Sequence, residues 1–163
     1  MAYAKIKYQA EGGAALITLN DPATLNAISV EMTDELTDAF GRAVSEARCV
    51  VLTGEGRGFS SGANLASGSP PMGEDGLPDL GGRLEKTFNP FVSMLRDLPI
   101  PYVTAVNGVA AGIGCSFALL GDLIVAGESA YFLQAFRRIG LVPDGSATYH
   151  LPRMIGRARA MEM

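Results

Sequence analysis

The sequence predicts an α/β fold with mostly parallel strand pairing. Three observations carry this. Short apolar runs of strand length alternate with stretches of helical apolar spacing, in the order strand, helix, strand, helix, strand, helix. The strand runs end in glycine-bearing turns. Apolar residues make up 48% and charged residues 18% of the 163 positions, enough for one buried core in one domain.

The elements follow in order. Residues 4–9 alternate apolar and polar, 14–19 form a short apolar run, and Glu11, Gly12 and Gly13 separate them, which predicts a hairpin. Asn20, Asp21 and Pro22 mark a turn. Ser29 is placed to cap a helix from Val30 to about Ala47, in which Met32, Leu36, Phe40 and Ala43 recur on one face. Glu31, Asp34 and Glu35 fill its early turns, and Arg42 and Arg48 lie late, as the helix dipole favours. Residues 49–53 read as a buried strand, ended by GEGRG at 54–58. Residues 66–82 are rich in glycine and proline and predict a flexible surface loop. A helix is expected from about Arg83 to Asp97, with Leu84, Phe88, Phe91, Val92 and Leu95 on one side. Strands at 101–106 and 122–126 flank a short buried helix at 112–120. Residues 134–139 fit no single template. Pro143, Asp144 and Gly145 form a turn, and a helix over 146–154 is expected despite Pro152.

A formal net charge of −4 with no basic run excludes nucleic acid and anionic membrane surfaces as main partners. The N-terminus lacks the apolar centre of a signal peptide. Pro99, Pro101 and Asn107 interrupt the most apolar stretch, 98–121, so no membrane span is expected and the chain reads as cytoplasmic. Cys49 and Cys115 lie beside apolar runs and read as two buried thiols. Without a CxxC pair, and with His150 as the one histidine, no zinc site is expected.

Two segments can carry chemistry: GRGFSSGANL at 56–65 and NGVAAGIGCS at 107–116. Each follows a buried strand and leads towards a helix or loop. A helix start leaves amide hydrogens without partners, and small residues let a ligand approach them. Two such turns side by side aim two N–H groups at one oxygen, which is an oxyanion hole. Taken singly, either segment reads first as a close-packing device. Gly112 and Gly114 after a strand also partly match a dinucleotide fingerprint, although Phe117 stands at its third glycine. Ser60, Ser61 and Ser116 have no histidine near them in sequence, so a Ser–His nucleophile is not favoured. By themselves, the residues around Asp144 read as a turn whose carboxylate caps the following helix.

Four stretches, LNAIS (25–29), VVLTGEGRGFSSGANL (50–65), PYVTAVNGVAAGIGCSFALLGDLIVA (101–126) and IGLVPDGSATYHLPRMIGRARAMEM (139–163), resemble the crotonase, or enoyl-CoA hydratase/isomerase, family in order and spacing. The resemblance covers nearly the whole chain and implies a spiral of ββα units that binds an acyl-CoA thioester. Family chains continue into further helices, so residues 1–163 are expected to be a core domain that is short relative to the family and lacks its C-terminal helical part.

The resemblance further implies that the backbone amides of Ala63 and Ile113 polarise the thioester oxygen. Many relatives have glycine at the second position, so the Ile113 side chain is expected to narrow the pocket. Leu25, Asn26, Ala27, Ser61, Gly62, Asn64, Leu65, Gly112, Ser116 and Phe136 are implied as substrate-binding, with Asn26 shaping its loop more than acting chemically. Hydratases of the family use two glutamates; here those positions fall on Ser116 and Phe136. One carboxylate remains, Asp144, where isomerases of the epoxyphenylacetyl-CoA type carry an aspartate. The implied activity is a double-bond or ring isomerisation of an enoyl-CoA, with hydration or non-catalytic acyl-CoA binding as the alternatives. No cofactor is implied beyond the coenzyme A of the substrate, and the implied assembly of a full-length chain is a homotrimer or hexamer.

Overall fold

A computed structural model describes residues 3–66 and 72–163. Eight strands form two sheets. β1 (Ile6–Glu11) and β2 (Ala14–Leu19) pair antiparallel as the expected hairpin. β2, β3 (Cys49–Gly54), β5 (Tyr102–Val106) and β7 (Leu123–Ala126) then pair in parallel, giving a five-stranded sheet in the order β1-β2-β3-β5-β7. A second sheet is built from three short parallel strands, β4 (Gly58–Ser60), β6 (Val109–Ala111) and β8 (Tyr131–Leu133). Three times the chain passes from a strand of the large sheet to a strand of the small one and then into helical structure. That is a spiral of ββα units.

α1 (Val30–Glu46) forms as its apolar spacing requires. The Ser29 hydroxyl accepts the Met32 N–H at 3.1 Å, closing its first turn. Met32, Leu36, Phe40 and Ala43 are fully buried, with Ile17, Leu19, Val50 and Leu52 of the large sheet in the same core. Phe40 meets Tyr102 and Phe91 edge-on, at 5.2 and 5.7 Å between ring centres, and Phe91 meets Phe117 in the same way at 5.1 Å. The Tyr102 hydroxyl donates to the Phe117 carbonyl at 3.1 Å, so this deep phenol is not left unpaired.

The helix expected from Arg83 begins earlier. α2 (Leu80–Arg83) runs through a π-helical turn (Leu84–Phe88) into α3 (Asn89–Arg96). The Asp79 carboxylate accepts the Gly82 N–H at 2.8 Å, which starts a helix on a glycine pair that reads as loop from sequence. Of the loop expected over 66–82, residues 67–71 lie outside the described residues. Residues 72–78 close on themselves through a Met72–Pro78 bridge. α4 (Ile113–Leu119) is buried along its whole length, and α5 (Ala147–Ile155) and α6 (Arg157–Glu162) end the chain. Residues 134–139 resolve into a 3-10 turn at Phe136–Ile139. Cys115 is buried, whereas Cys49 at the start of β3 is only half-buried. No helix among the described residues is long and apolar enough to cross a membrane.

Candidate active site

The two glycine-bearing turns meet where the small sheet feeds α4. Gly62 (φ +104°) and Gly112 (φ +51°) have backbone geometry that L side chains rarely adopt. A Cβ at Gly62 would lie 3.0 Å from the Ala111 carbonyl oxygen, and one at Gly112 would lie 3.9 Å from the Gly62 Cα. The two main chains are therefore in direct contact, and only glycine permits it. Ala63 bridges Ile28 in parallel, so Ile28 bonds to Gly62 and Asn64 on either side: its N–H to the Gly62 carbonyl at 2.7 Å, its carbonyl to the Asn64 N–H at 2.8 Å. This alternation turns the Ala63 N–H away from Ile28. Ile113 opens α4, where the first helical bond runs from the Ser116 N–H to the Gly112 carbonyl. The Ile113 N–H thus has no intrahelical acceptor.

Both turns border a cavity of about 270 Å³. Ser61, Gly62, Ala63 and Leu65 form one wall, and Gly112, Ile113, Ala135 and Phe136 another. Leu80, Arg83, Leu84 and Phe88 close it from the α2–α3 side. Ile139, Leu141 and Asp144 complete it, and Asp144 is the one carboxylate in the wall. Asp144 Oδ1 is buried with no hydrogen-bond partner among the described residues. Burial pushes the carboxyl up to about 6, against a smaller opposing pull from its own backbone amide. The cavity wall therefore holds a carboxyl whose buried Oδ1 has no partner among the described residues, together with two turns of bare main chain. A second cavity of about 400 Å³ lies among α5, α6 and Gln134, but neither turn reaches it, and Glu162 near the chain end is its one carboxylate.

The structure thus brings Ala63, Ile113, Asp144, Ser61, Gly62, Leu65, Gly112 and Phe136 to one cavity. Phe136 faces the second turn, its Cζ 3.9 Å from where a Gly112 Cβ would stand. The Ile113 side chain does reach the cavity but is almost wholly buried, its Cδ1 tucked beneath Gly145. Five of the expected substrate contacts stand outside the cavity wall. Leu25, Asn26 and Ala27 support the first turn from behind, with the Leu25 carbonyl taking the Ser61 N–H at 2.9 Å. Asn64 turns its Oδ1 to the Ala66 N–H at 2.9 Å. Ser116 is buried below the cavity floor, its hydroxyl donating to the Asp144 carbonyl at 2.9 Å.

The capping role open to Asp144 is not what forms. Ser146 occupies the N-cap of α5 without a side-chain cap bond, and Asp144 supplies its main-chain carbonyl to the Ala147 N–H at 3.1 Å. Its carboxylate is left to the cavity. Nor do the serines meet His150. The Ser60 and Ser61 hydroxyls donate to the carbonyls of Asn26 and Thr24, each at 2.8 Å, while the His150 ring packs against Tyr149. Leu80, Arg83, Ala135, Ile139 and Leu141 are the wall residues that sequence reasoning missed. Leu84 and Phe88 were visible as an apolar face, but not as a wall of the site.

The family profile described as Enoyl-CoA hydratase/isomerase matches residues 9–163. A probable enoyl-CoA hydratase of Rhodobacter capsulatus is 45% identical over 163 residues, covering all of this chain and 62% of that protein. The 1,2-epoxyphenylacetyl-CoA isomerase of Escherichia coli is 45% identical over 154 residues, 93% of this chain and 58% of the relative. Among solved structures, an enoyl-CoA hydratase of Mycobacterium avium subsp. paratuberculosis superposes with a TM-score of 0.84 at 35% identity, covering 99% of this chain and 60% of its own. The chain thus spans about three-fifths of the length of these relatives, whose names include both hydratases and an isomerase. Matched over nearly its full length and sharing the fold of solved members, the chain belongs to the enoyl-CoA hydratase/isomerase family.

Proposed function

We propose that this chain isomerises an enoyl-CoA thioester through an enolate, with Ala63 and Ile113 N–H groups on the thioester oxygen and Asp144 moving the proton. The observation that carries this reading is the single buried carboxylate in the wall of a cavity bordered by both bare turns. A thioester α-proton is too weakly acidic for a free carboxylate to remove unaided. Two N–H donors at the carbonyl oxygen stabilise the enolate, and a mostly apolar wall strengthens both bonds. A carboxyl shifted to about 6 is a stronger base than an ordinary aspartate, yet is mostly ionised at neutral pH. Asp144 takes a proton from C2 of a 3-enoyl thioester. The electron pair moves through the dienolate, and the same carboxyl returns the proton at C4.

Hydration needs a second acid–base group for water. At the two positions where the resemblance puts the hydratase glutamates, this chain has Ser116, whose hydroxyl is bound to main chain, and Phe136, an apolar wall. Coenzyme A enters only as part of the substrate, and a trimeric or hexameric assembly belongs to the same reading of the whole protein.

The test is incubation with a 3-enoyl-CoA in deuterated water. Expected is the 2-enoyl product with deuterium incorporated, at a rate that falls about 10²–10⁴-fold in Asp144→Asn. An unchanged rate in that variant, or accumulation of 3-hydroxyacyl-CoA, overturns isomerisation by Asp144. Tight thioester binding with no exchange assigns the chain to non-catalytic acyl-CoA binding instead.

A further inference from the structure

We propose that Ser116 is a positioning residue that holds the Asp144 loop in register with the first turn of α4, so that base and oxyanion donor move as one piece. The inference rests on the isomerase reading and deepens it.

Asp144 Oδ1 has no hydrogen-bond partner among the described residues, so the carboxylate is not aimed by a side-chain contact there. Its direction is set by the main chain that carries it. That main chain is unusual. Gly145 (φ +55°) and Ser146 (φ +61°) are consecutive left-handed residues, and Ser146 is not glycine. The Ser146 hydroxyl is buried with no hydrogen-bond partner among the described residues, so no side-chain bond of its own there holds the loop. Such a conformation persists only where its surroundings hold it.

The holding contact is on α4. Ser116 is 1% exposed. Its Oγ lies 2.9 Å from the Asp144 carbonyl and 3.4 Å from the Gly112 carbonyl one turn back. The loop is also seated on this helix face. A Cβ at Gly145 would lie 2.6 Å from the Ser116 Cβ and 2.8 Å from the Ile113 Cδ1. Ser116 and Ile113 are three residues apart and share one face of α4. The helical turn that begins at Ile113, whose N–H has no intrahelical acceptor, therefore also grips the loop that carries Asp144. A site that moves a proton between two carbons needs its base fixed relative to the thioester oxygen, and a misplacement of about 1 Å costs on the order of 100-fold.

Three variants and one cycle test this. Ser116→Ala keeps the volume and removes the hydroxyl. Expected is a kcat lower by about 10- to 100-fold with KM changed by less than about 2-fold, because positioning acts on the transition state more than on binding. Ser116→Thr restores the hydroxyl and brings kcat back to within about 5-fold of the unsubstituted chain. Ser116→Cys, with a weak donor of similar size, keeps the fold should Ser116→Ala lose it, and falls between the two. In the Asp144→Asn background, Ser116→Ala has no further effect on the residual rate, since the group it positions is gone.

An unchanged kcat in both Ser116→Ala and Ser116→Cys overturns the proposal, as does a full additive loss in the double variant. These outcomes leave the isomerase reading standing. If instead Asp144→Asn keeps full activity, or the unsubstituted chain turns over no 3-enoyl-CoA, the isomerase reading fails and takes the role of Ser116 with it.

Discussion

Asn26 spends its whole side-chain amide on main chain. Its Oδ1 accepts the Asp21 N–H at 2.9 Å, and its Nδ2 donates to the Glu55 carbonyl at 3.0 Å and the Gly58 carbonyl at 2.9 Å. It is fully buried and left-handed at φ +57°, a conformation that asparagine tolerates better than most residues. Replacing it by alanine removes three hydrogen bonds to buried and part-buried main chain, and the expected cost is about 2–4 kcal/mol in urea unfolding. Asn26→Gly eases the backbone conformation but not the hydrogen bonds, so it is expected to stay well below the unsubstituted chain. A cost under about 1 kcal/mol for Asn26→Ala contradicts this reading. A loop-shaping role for this residue came from the resemblance of residues 25–27 to the family segment, and its three bonds to main chain fit that role. Arg83, Ile139 and Leu141 were not legible as wall residues. Arg83 comes from a distant helix and only packing brings it to Asp144, whereas Ile139 and Leu141 stand just before Asp144 in the chain but carry no local pattern that marks a wall.

At the scale of elements, legibility follows length and locality. α1 was readable from cap to terminus because four buried positions recur at helical spacing and a serine stands before them. Removing that cap in Ser29→Ala is expected to destabilise the fold by about 1 kcal/mol, while Ser29→Asp keeps an acceptor for the Met32 N–H and stays within a few tenths. Equal losses in the two variants, followed by thermal or urea unfolding, contradict a capping role. The small sheet was invisible for the opposite reason. β4, β6 and β8 have three residues each, too few for a period to show. β4 and β6 also contain glycine or alanine, so they read as parts of glycine-bearing turns. The strand character of all three comes from pairing with one another across about 50 and then 20 residues of chain, which no local pattern records. That sheet is what sets the two glycine-bearing turns side by side. The sequence therefore shows that two bare turns exist, and tertiary pairing makes them neighbours. Asp144 is intermediate: its residue type and turn were plain, but the choice between capping carboxylate and cavity carboxylate depended on Ser146 taking the cap position.

At the scale of the whole molecule, a buried carboxylate without a partner lowers stability, and the sign is open to measurement. Burial raises the Asp144 carboxyl from its ordinary 3.8 to about 6 in the native state. Between those values the native chain holds a proton that the unfolded chain has released. Stability from this group is therefore greatest below pH 4 and declines as the pH rises through 6. A shift of about two pH units at 1.36 kcal/mol each caps the penalty at roughly 3 kcal/mol by pH 7, and solvent screening of the part-exposed carboxyl brings it below that cap. Asp144→Asn lacks the titration. Carboxylates held below their ordinary range, Glu46 by the Tyr8 hydroxyl and Arg42, and Asp97 by Arg96, titrate alike in both proteins and cancel in the difference. Urea unfolding at pH 4, 5.5 and 7.5 is expected to show the stability difference moving in favour of Asp144→Asn by up to roughly 3 kcal/mol across that range. A difference that stays constant with pH places the carboxyl in solvent and removes the physical basis for its action as a base. A difference that moves the other way requires a cation or donor beside it. The expected trend ties the site to the fold as a whole: the same desolvation that weakens the native state at neutral pH would supply the basicity that the proposed isomerisation asks of Asp144.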